Sequence, residues 1–374
     1  MKITKVKVYP FREEREYSTV IAALGGVAKH EGGYRYSDFA VIELLTDEGV
    51  KGFGEVSDIP ETLKMPSGRN FSITELQECL SHFLVGKDPF NTDEILSSFP
   101  NENMIDKRPD GTVSDIVGNG VENALLDLMG KILKVPVYNL LGGKKRDKVW
   151  VSWVAFIRGT ELLEQEISQK VEEGFNVFKL KVGISIELDE ERLRIVRNIA
   201  GDDAVIKLDA NSGWSFDEAV ENLKRLEKYN PAGIETPIPP LDIEGKAKLR
   251  KKTGIPVIEH VGTLHFALQL MKEDAIDVFN VSTVGSGGIL KARNVLALAQ
   301  SEGISCLLGS TVEAGLGTAV QLHLVTSSSQ VTWPSDLVGP KLYKNDLITC
   351  AHKWDKNMLY VPDGNGLGVE IRGL

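Results

Sequence analysis

The sequence predicts an α/β protein whose larger part is a closed barrel of parallel strands, preceded by a smaller α+β region. From residue 149 onward, short β-rich runs alternate with amphipathic helical segments, as in barrels built from βα units. Before residue 143, a hairpin pattern is followed by helical patterns. An open doubly wound sheet is the competing fold, but its Gly-rich signal is missing, because GSGGI (285–289) is not G-x-G-x-x-G.

The composition excludes several classes of protein. The chain has 374 residues, a formal net charge of −10 and three cysteines. The length suits two domains, or one large barrel with an addition, and three cysteines are too few for a disulfide framework. The charged N-terminus is no signal peptide, and no run of about 18 apolar residues predicts a membrane span. The acidic balance argues against nucleic-acid binding, so we expect a cytoplasmic protein with neither nucleic-acid nor membrane partners.

The α+β region predicts a small antiparallel sheet and then helices. ITKVKVYPF (3–11) alternates like a half-buried strand, and FAVIELLTDEGVKGFGEV (39–56) has two apolar runs around a DEG turn, which predicts a hairpin. Ser72 is a candidate cap for the helix that follows it, and VENALLDLMGKILKV (121–135) has helical spacing. We predict an α+β domain at 1–145, a barrel at 146–345 and a tail at 346–374 that returns to the first domain.

Eight β-rich runs predict the strands of the barrel. Right-handed βα crossovers place the C-terminal ends of such strands on one face. The runs are VWVSWVAF (149–156), VFKLKV (177–182), AVIKLDA (204–210), AGIETPI (232–238), PVIEH (256–260), DVFNVS (277–282), SCLLGS (305–310) and QVTW (330–333).

Charged residues lie where the second to fifth of these strands end. Lys179 and Lys181 close the second run, Asp209 the third, Glu235 the fourth and His260 the fifth. The steps between positions 181, 209, 235 and 260 are 28, 26 and 25 residues, each about one βα unit. Residues at one phase of this repeat converge on the C-terminal mouth of a barrel, where barrel active sites lie.

These residue types predict metal-assisted removal of a proton α to a carboxylate. Two carboxylates and an imidazole suit Mg²⁺ or Mn²⁺, and each of two adjacent lysines opposes protonation of the other, so that one can become a neutral base. Three alternatives stay open: a structural ion-pair network, a Schiff-base aldolase, and a barrel that binds a ligand without turnover. Glu259 could replace His260 as a ligand, although alternation along the strand favours His260.

The sequence resembles the enolase superfamily, specifically its mandelate racemase/muconate lactonizing enzyme branch. The resemblance covers nearly the whole chain and implies a modified TIM barrel of (β/α)7β form, with an α+β N-terminal capping domain that the C-terminal tail completes. It also implies a homo-oligomer. The motifs are LLTDEGVKGFGE (44–55), ENALLDLMGKILKVPVYNLLGG (122–143), FKLKVG (178–183), KLDANSGW (207–214), IETPIP (234–239), GSGGI (285–289), LLGSTVEAGLGTA (307–319) and PDGNGLGVEI (362–371).

The resemblance implies a role for each site residue. Lys181 would be the base and Lys179 its electrostatic partner. Asp209 and Glu235 would bind Mg²⁺, and Glu313 matches an acidic residue that the family keeps beside the substrate, a small-molecule carboxylate.

Two departures from the family pattern bear on the reaction. The third metal ligand is usually an acid, whereas the aligned residue is His260. Cycloisomerases and dipeptide epimerases carry a second lysine on the sixth strand, whereas the aligned residue is Ser282. IEHV (258–261) and SDLVGP (335–340) are similar to divergent acid-sugar dehydratases acting on galactarate, although that group replaces the lysine pair retained in this chain.

One lysine base favours elimination of water, because the same group can take the proton and then protonate the leaving hydroxide. We therefore predict a dehydratase (a lyase) that turns an acid sugar into a 2-keto-3-deoxy acid. The alternative is a cycloisomerase, or an epimerase or racemase, with a proton donor such as Tyr34 or His30 from the early loop (about residues 15–35). We expect Tyr34 and Ser282 beside the substrate. Further candidate contacts in the loops are Arg35, Lys64 and Arg69.

Overall fold

The described residues form three hydrophobic clusters: the largest packs the barrel strands against the helices around them, the second fills the N-terminal cap, and a small third one contains Ile258, Val278 and Leu307. A computed structural model describes residues 1–23, 25–28, 32–61, 63–65, 67–100, 106–107 and 113–374. Within those residues, no helix combines the length and the apolar character that crossing a membrane requires.

The cap is an antiparallel sheet with helices on it. In chain order it contains β1 (Ile3–Thr19), β2 (Ala22–Ala23), β3 (Val27–Ala28), β4 (Tyr34–Thr46), β5 (Lys51–Val56), α1 (Ile73–Leu84), α2 (Thr92–Ser97), β6 (Asp106–Lys107), β7 (Val113–Ser114), α3 (Ile116–Leu133) and α4 (Val137–Leu140). β4 lies between β1 and β5, so the predicted hairpin is confirmed. Ser72 caps α1 by accepting the Glu75 N–H, which confirms the predicted helix start.

Helix α3 packs closely on β5 because glycines leave room for it. A Cβ atom at Gly54 would lie 1.9 Å from the carbonyl oxygen of Gly120 on α3. Asp127 of α3 accepts the N–H groups of Phe53 and Leu367, each at 2.8 Å. This one carboxylate therefore ties the helix both to the sheet and to the C-terminal tail.

The second part of the chain is a parallel barrel followed by a short tail. In chain order it contains β8 (Lys148–Trp150), β9 (Trp153–Ala155), α5 (Thr160–Glu172), β10 (Val177–Lys181), α6 (Ile186–Ala200), β11 (Val205–Asp209), α7 (Phe216–Leu226), a 3₁₀ turn (Glu227–Tyr229), β12 (Gly233–Glu235), α8 (Ile243–Thr253), β13 (Val257–His260), α9 (Leu264–Lys272), β14 (Val278–Val281), α10 (Thr283–Ser286), α11 (Ile289–Glu302), β15 (Ser305–Leu308), α12 (Gly315–Ser327), a 3₁₀ turn (Gly339–Lys341), β16 (Trp354–Asp355) and β17 (Met358–Tyr360). Strands β9 to β15 are neighbours in sequence order, which confirms the predicted (β/α)7β class.

The first and last predicted barrel strands differ from the prediction. VWVSWVAF is two strands: β8 pairs with β17 of the tail, and β9 joins the barrel. QVTW does not form a regular strand, and its segment makes only isolated bridges, from Val331 to Cys306 and from Ser335 to Val151. Pro334 lies in this segment and has no N–H to donate to a ladder. The bridges still close the ring between β15 and the start of β9.

Candidate active site

Strand register brings the predicted charged residues to one end of the barrel. Lys181, Asp209 and Glu235 end β10, β11 and β12 and are direct partners across these strands. His260 ends the next strand, β13. The repeat therefore places these side chains as its spacing predicts, while the chemical role of each stays a prediction.

Lys179 lies at the centre of a buried charge cluster. Its Nζ atom is 2.7 Å from Glu235 Oε1, 2.9 Å from Asp209 Oδ2 and 3.0 Å from Asp336 Oδ2. Burial lowers the pKa of Lys179, but the three carboxylates outweigh it and raise this pKa well above its ordinary value. The three carboxylates, and not the neighbouring lysine, therefore set the direction of the pKa shift of Lys179.

Lys181 occupies the outer position of the lysine pair. Its Nζ atom is 2.6 Å from Asp209 Oδ2 and 3.0 Å from Asn211 Oδ1. Its side chain is 11% exposed, against 5% for Lys179, so Lys181 is the lysine that faces the mouth. Arg192 is fully buried and donates to the Lys181 carbonyl oxygen at 2.6 Å, which holds the end of β10 in place.

Asp209, Glu235 and His260 fit a divalent-metal site. Both carboxylates are fully buried, and His260 Nε2 lies 3.0 Å from Glu235 Oε1. Glu235 Oε2 is buried without a hydrogen-bond partner, which leaves an acceptor for a cation. Across the described ranges, no three acidic, histidine or cysteine side chains already form a metal cluster, and the Lys179 ammonium lies between the two carboxylates. Two oxygen ligands and one imidazole suit Mg²⁺ or Mn²⁺.

Glu259, the alternative third ligand, has other partners. Its Oε1 atom accepts the Thr236 hydroxyl at 2.7 Å and the His260 N–H at 2.9 Å. Its Oε2 atom lies 3.1 Å from the Nζ of Lys246, and both side chains are fully buried. This geometry favours His260 over Glu259 as the residue that faces Glu235.

Glu313 and Ser282, the predicted substrate contacts on the barrel, follow β15 and β14. Glu313 is buried and accepts the hydroxyls of Ser310 and Thr311 and the Thr311 N–H. Burial raises its pKa against the opposing effect of these hydrogen bonds. Ser282 caps α10 by accepting the Gly285 N–H at 3.1 Å. Because β14 is four strands from β10 in the ring, Ser282 lies across the mouth from Lys181.

The early loop reaches the barrel mouth through the β2–β3 hairpin. A Cβ atom at Gly183, just after β10, would lie 3.0 Å from the Cβ of Ala22. Tyr34 starts β4 with its ring 5.5 Å from the Arg15 guanidinium, and His30 lies outside the described residues. The other predicted loop contacts have partners within the cap: Arg35 pairs with Glu14, Lys64 with Asn70 and Arg69 with Glu75.

Three buried polar residues of the barrel interior escaped the sequence prediction. Lys207 is two residues before Asp209 and so shares its face of β11, a signal that alternation could have revealed. Asp336 lies in the irregular closing segment of the barrel (residues 330–336), where no periodic pattern in the sequence points to it. Asn280 of β14 is fully buried, and neither amide atom has a hydrogen-bond partner.

Comparisons with known proteins agree with this architecture. Residues 162–373 match the family model described as enolase C-terminal domain-like, and residues 29–142 match that of the mandelate racemase / muconate lactonizing enzyme N-terminal domain. The chain is 29% identical to an N-succinyl-L-Arg/Lys racemase of Bacillus cereus, over 99% of this chain and 96% of the relative. The crystal structure of the N-succinyl Arg/Lys racemase from that species superposes with a TM-score of 0.85 at 27% identity, covering 100% of this chain and 96% of the other.

Two further relatives catalyse other reactions. A chloromuconate cycloisomerase of Cupriavidus pinatubonensis is 26% identical, over 91% of this chain and 90% of the relative. An L-Ala-D/L-Glu epimerase of Clostridium acetobutylicum is 28% identical, over 88% and 90%. These relatives are a racemase, a cycloisomerase and an epimerase, so the finer likeness to acid-sugar dehydratases finds no support among them. The chain belongs to the mandelate racemase/muconate lactonizing enzyme branch of the enolase superfamily.

Proposed function

We propose that this enzyme moves the proton α to a carboxylate with Lys181 as its single base, and rearranges its substrate within one molecule as a cycloisomerase does. The observation that carries this proposal is Ser282, which lies across the mouth from Lys181. A two-base racemase needs a proton-transferring group on each face of the substrate, and a serine hydroxyl does not ionise near neutral pH. Of the reactions of the three relatives described above, cycloisomerisation is the one that a single base can perform, although Ser282 replaces the second lysine that cycloisomerases of the family carry.

The proposed metal ligands are Asp209, Glu235 and His260. When bound, Mg²⁺ or Mn²⁺ would stabilise the negative charge that develops as the α proton leaves. The unpartnered Glu235 Oε2 supports this assignment. Lys179, held among three carboxylates, would keep Asp209 and Glu235 in place, and its charge helps to lower the pKa of Asp209.

Lys181 would carry the transferred proton at its Nζ atom, giving it to the α carbon as the ring closes or taking it as the ring opens. Asp209 and Asn211 orient that atom, and the side chain is the more exposed of the lysine pair. Glu313, buried beside the end of β15, would contact the substrate. The β2–β3 hairpin over Gly183 would cover it from above and keep water out.

Dehydration of an acid sugar is the second candidate, favoured by the same serine at position 282. Both reactions make or break a C–H bond at the α carbon and a C–O bond at the β carbon on one face: lactone closure forms both bonds at the expense of a double bond, and dehydration breaks both and forms one. In a cycloisomerase that oxygen belongs to the same molecule, whereas in a dehydratase it leaves as water. The sequence favoured the dehydratase over the cycloisomerase. Because the relatives described above include a cycloisomerase and no dehydratase, we place cycloisomerisation first.

A substrate screen in D₂O tests the proposal. Muconate-type diacids, N-succinyl amino acids, dipeptides and acid sugars are incubated with the Mg²⁺ or Mn²⁺ enzyme and followed by NMR and mass spectrometry. We expect a product isomeric with its substrate and one deuterium on one face of the α carbon. Lys181→Ala should lower kcat/KM about 10³-fold, since general acid–base catalysis contributes that much.

The control is Lys224→Ala, which removes an exposed lysine on α7 and should leave kcat/KM unchanged. A 2-keto product would favour the dehydratase instead. Deuterium entry with inversion at the α carbon, or an unaffected Lys181→Ala enzyme, would contradict the single-base proposal.

A further inference from the structure

Asp336 bridges two buried ammonium groups below the proposed metal site. Its Oδ2 atom is 3.0 Å from Lys179 Nζ, and its Oδ1 atom is 2.7 Å from Lys207 Nζ. Lys179 and Lys207 are direct partners across β10 and β11, and Lys207 is fully buried. Lys207 also donates to the Pro334 carbonyl oxygen at 2.7 Å. The closing segment of the barrel therefore supplies the counter-charge for two strands.

We propose that Asp336 is a positioning residue that holds Lys179 when a divalent cation occupies Asp209 and Glu235, and thereby sets the affinity of the site for that cation. This inference rests on the metal site proposed above. It assigns to the closing segment a task beyond completing the barrel.

The number of donors on Lys179 leads to this proposal. An ammonium group has three N–H donors, and Lys179 faces three carboxylates. Two of these, Asp209 and Glu235, are the proposed metal ligands, so a cation bound to them repels Lys179. Asp336 is the one partner among the three that the cation leaves available. Partners behind the ligands of a metal commonly change its affinity in this way.

Loss of the Asp336 charge would leave Lys179 dependent on the metal ligands. A buried ammonium without a counter-ion is strongly unfavourable, so Lys179 would stay on Asp209 and Glu235 and compete with the cation. Lys207 acts in the opposite direction, because it shares Asp336 with Lys179. Its removal would leave Asp336 to Lys179 alone.

Mn²⁺ titration of four forms of the full chain tests the inference. The wild-type protein, Asp336→Asn, Lys207→Met and the double variant are titrated by calorimetry and by electron paramagnetic resonance. We expect about tenfold weaker binding in Asp336→Asn, the scale at which such outer partners act. Lys207→Met should bind Mn²⁺ as tightly as the wild type or more tightly. The double variant should bind at least about fivefold more weakly than Lys207→Met.

The double variant separates positioning from a general effect of charge. It removes one negative and one positive group, so a charge effect alone predicts wild-type affinity, and that result would overturn the inference. Thermal unfolding without metal shows which variants fold. If Asp336→Asn does not fold, the Lys207→Met variant alone tests the inference. Weaker Mn²⁺ binding by Lys207→Met than by the wild type would contradict the proposal that Lys207 and Lys179 share Asp336. A wild-type chain that binds no Mn²⁺ overturns the proposed metal site, whereas equal binding by wild type and Asp336→Asn overturns only the role of Asp336.

Discussion

Lys181 ends β10 and Ser282 follows β14, four strands away in the ring, so the two sides of the site are chemically unequal. One side carries an amine held by Asp209, and the other carries a hydroxyl that caps a short helix. Proton transfer from both sides of a substrate would require an acid–base group at each. The identity of one residue, at position 282, therefore separates the single-base reactions from two-base racemisation.

Ser282→Ala tests whether the serine hydroxyl takes part in proton transfer. We expect deuterium incorporation at the α carbon to continue, because under the proposal Lys181 moves the proton without help from the serine. The lost cap of α10 should lower the free energy of unfolding by about 1 kcal/mol. The matched control is Thr263→Ala, which removes a similar cap on α9. Loss of deuterium incorporation in Ser282→Ala but not in the control would assign an acid–base role to the serine.

At the scale of elements, the contact between α3 and β5 decides how the cap is built. Gly52 and Gly54 lie on the face of β5 that meets α3, where a Cβ atom would lie 2.4 Å and 1.9 Å from helix carbonyl oxygens. Both glycines belong to the hairpin motif that the sequence analysis noted for its turn alone. Their spacing by two residues places them on the same face of the strand.

Gly54→Ala should destabilise the cap, because the backbone of α3 or β5 must move to admit the methyl group. We expect a loss of about 3 kcal/mol in the free energy of unfolding, measured by chemical denaturation. Gly159→Ala is the control, since a Cβ atom there meets no atom within 4 Å. Equal free energies of unfolding for the two variants would show that the contact between α3 and β5 can admit a methyl group.

At the scale of the whole molecule, carboxylates of the cap dock onto helices of the barrel. Glu55 of β5 accepts the Ala314 and Gly317 N–H groups at the start of α12. Glu122 of α3 accepts the Leu290 N–H at the start of α11. Burial raises the pKa of Glu55 to about 8 and that of Glu122 to about 7. The junction between the two parts of the chain therefore holds acids that ionise near neutral pH.

Glu122→Gln should change how the stability of the protein depends on pH. The folded-state pKa of about 7 lies above the ordinary 4.5, so the folded chain keeps this proton longer than the unfolded chain does. Wild-type stability from this group is present below pH 4.5 and is lost as the pH rises through 7, by about 3 kcal/mol. Glutamine does not titrate, so the variant should gain on the wild type over that range.

Chemical denaturation at pH 5 and at pH 9 measures this difference. Glu221→Gln, which changes an exposed residue of α7, provides the control and should show the same difference from wild type at both pH values. A pH-independent difference for Glu122→Gln as well would show that Glu122 ionises normally in the folded protein.

Periodic patterns in the sequence were enough to predict the barrel and the gathering of Lys179, Lys181, Asp209, Glu235 and His260. Alternation within each strand selects a face, and the βα repeat brings that face to the same end of every strand. The sequence also predicted the hairpin and the Ser72 cap, because both depend on neighbours a few residues apart. Patterns that involve residues close together along the chain can be recognised in a single sequence.

The partner that each charged group meets can be seen only in the folded chain. Asp336 reaches Lys179 from the far end of the chain, after a segment with no period, so spacing could not reveal it. The raised pKa of Lys179 follows from three carboxylates brought together from separate elements, whereas the sequence predicted two of these, Asp209 and Glu235, and not Asp336. A periodic pattern reports the face on which a side chain lies, but its electrostatic state depends on atoms that folding brings within about 4 Å.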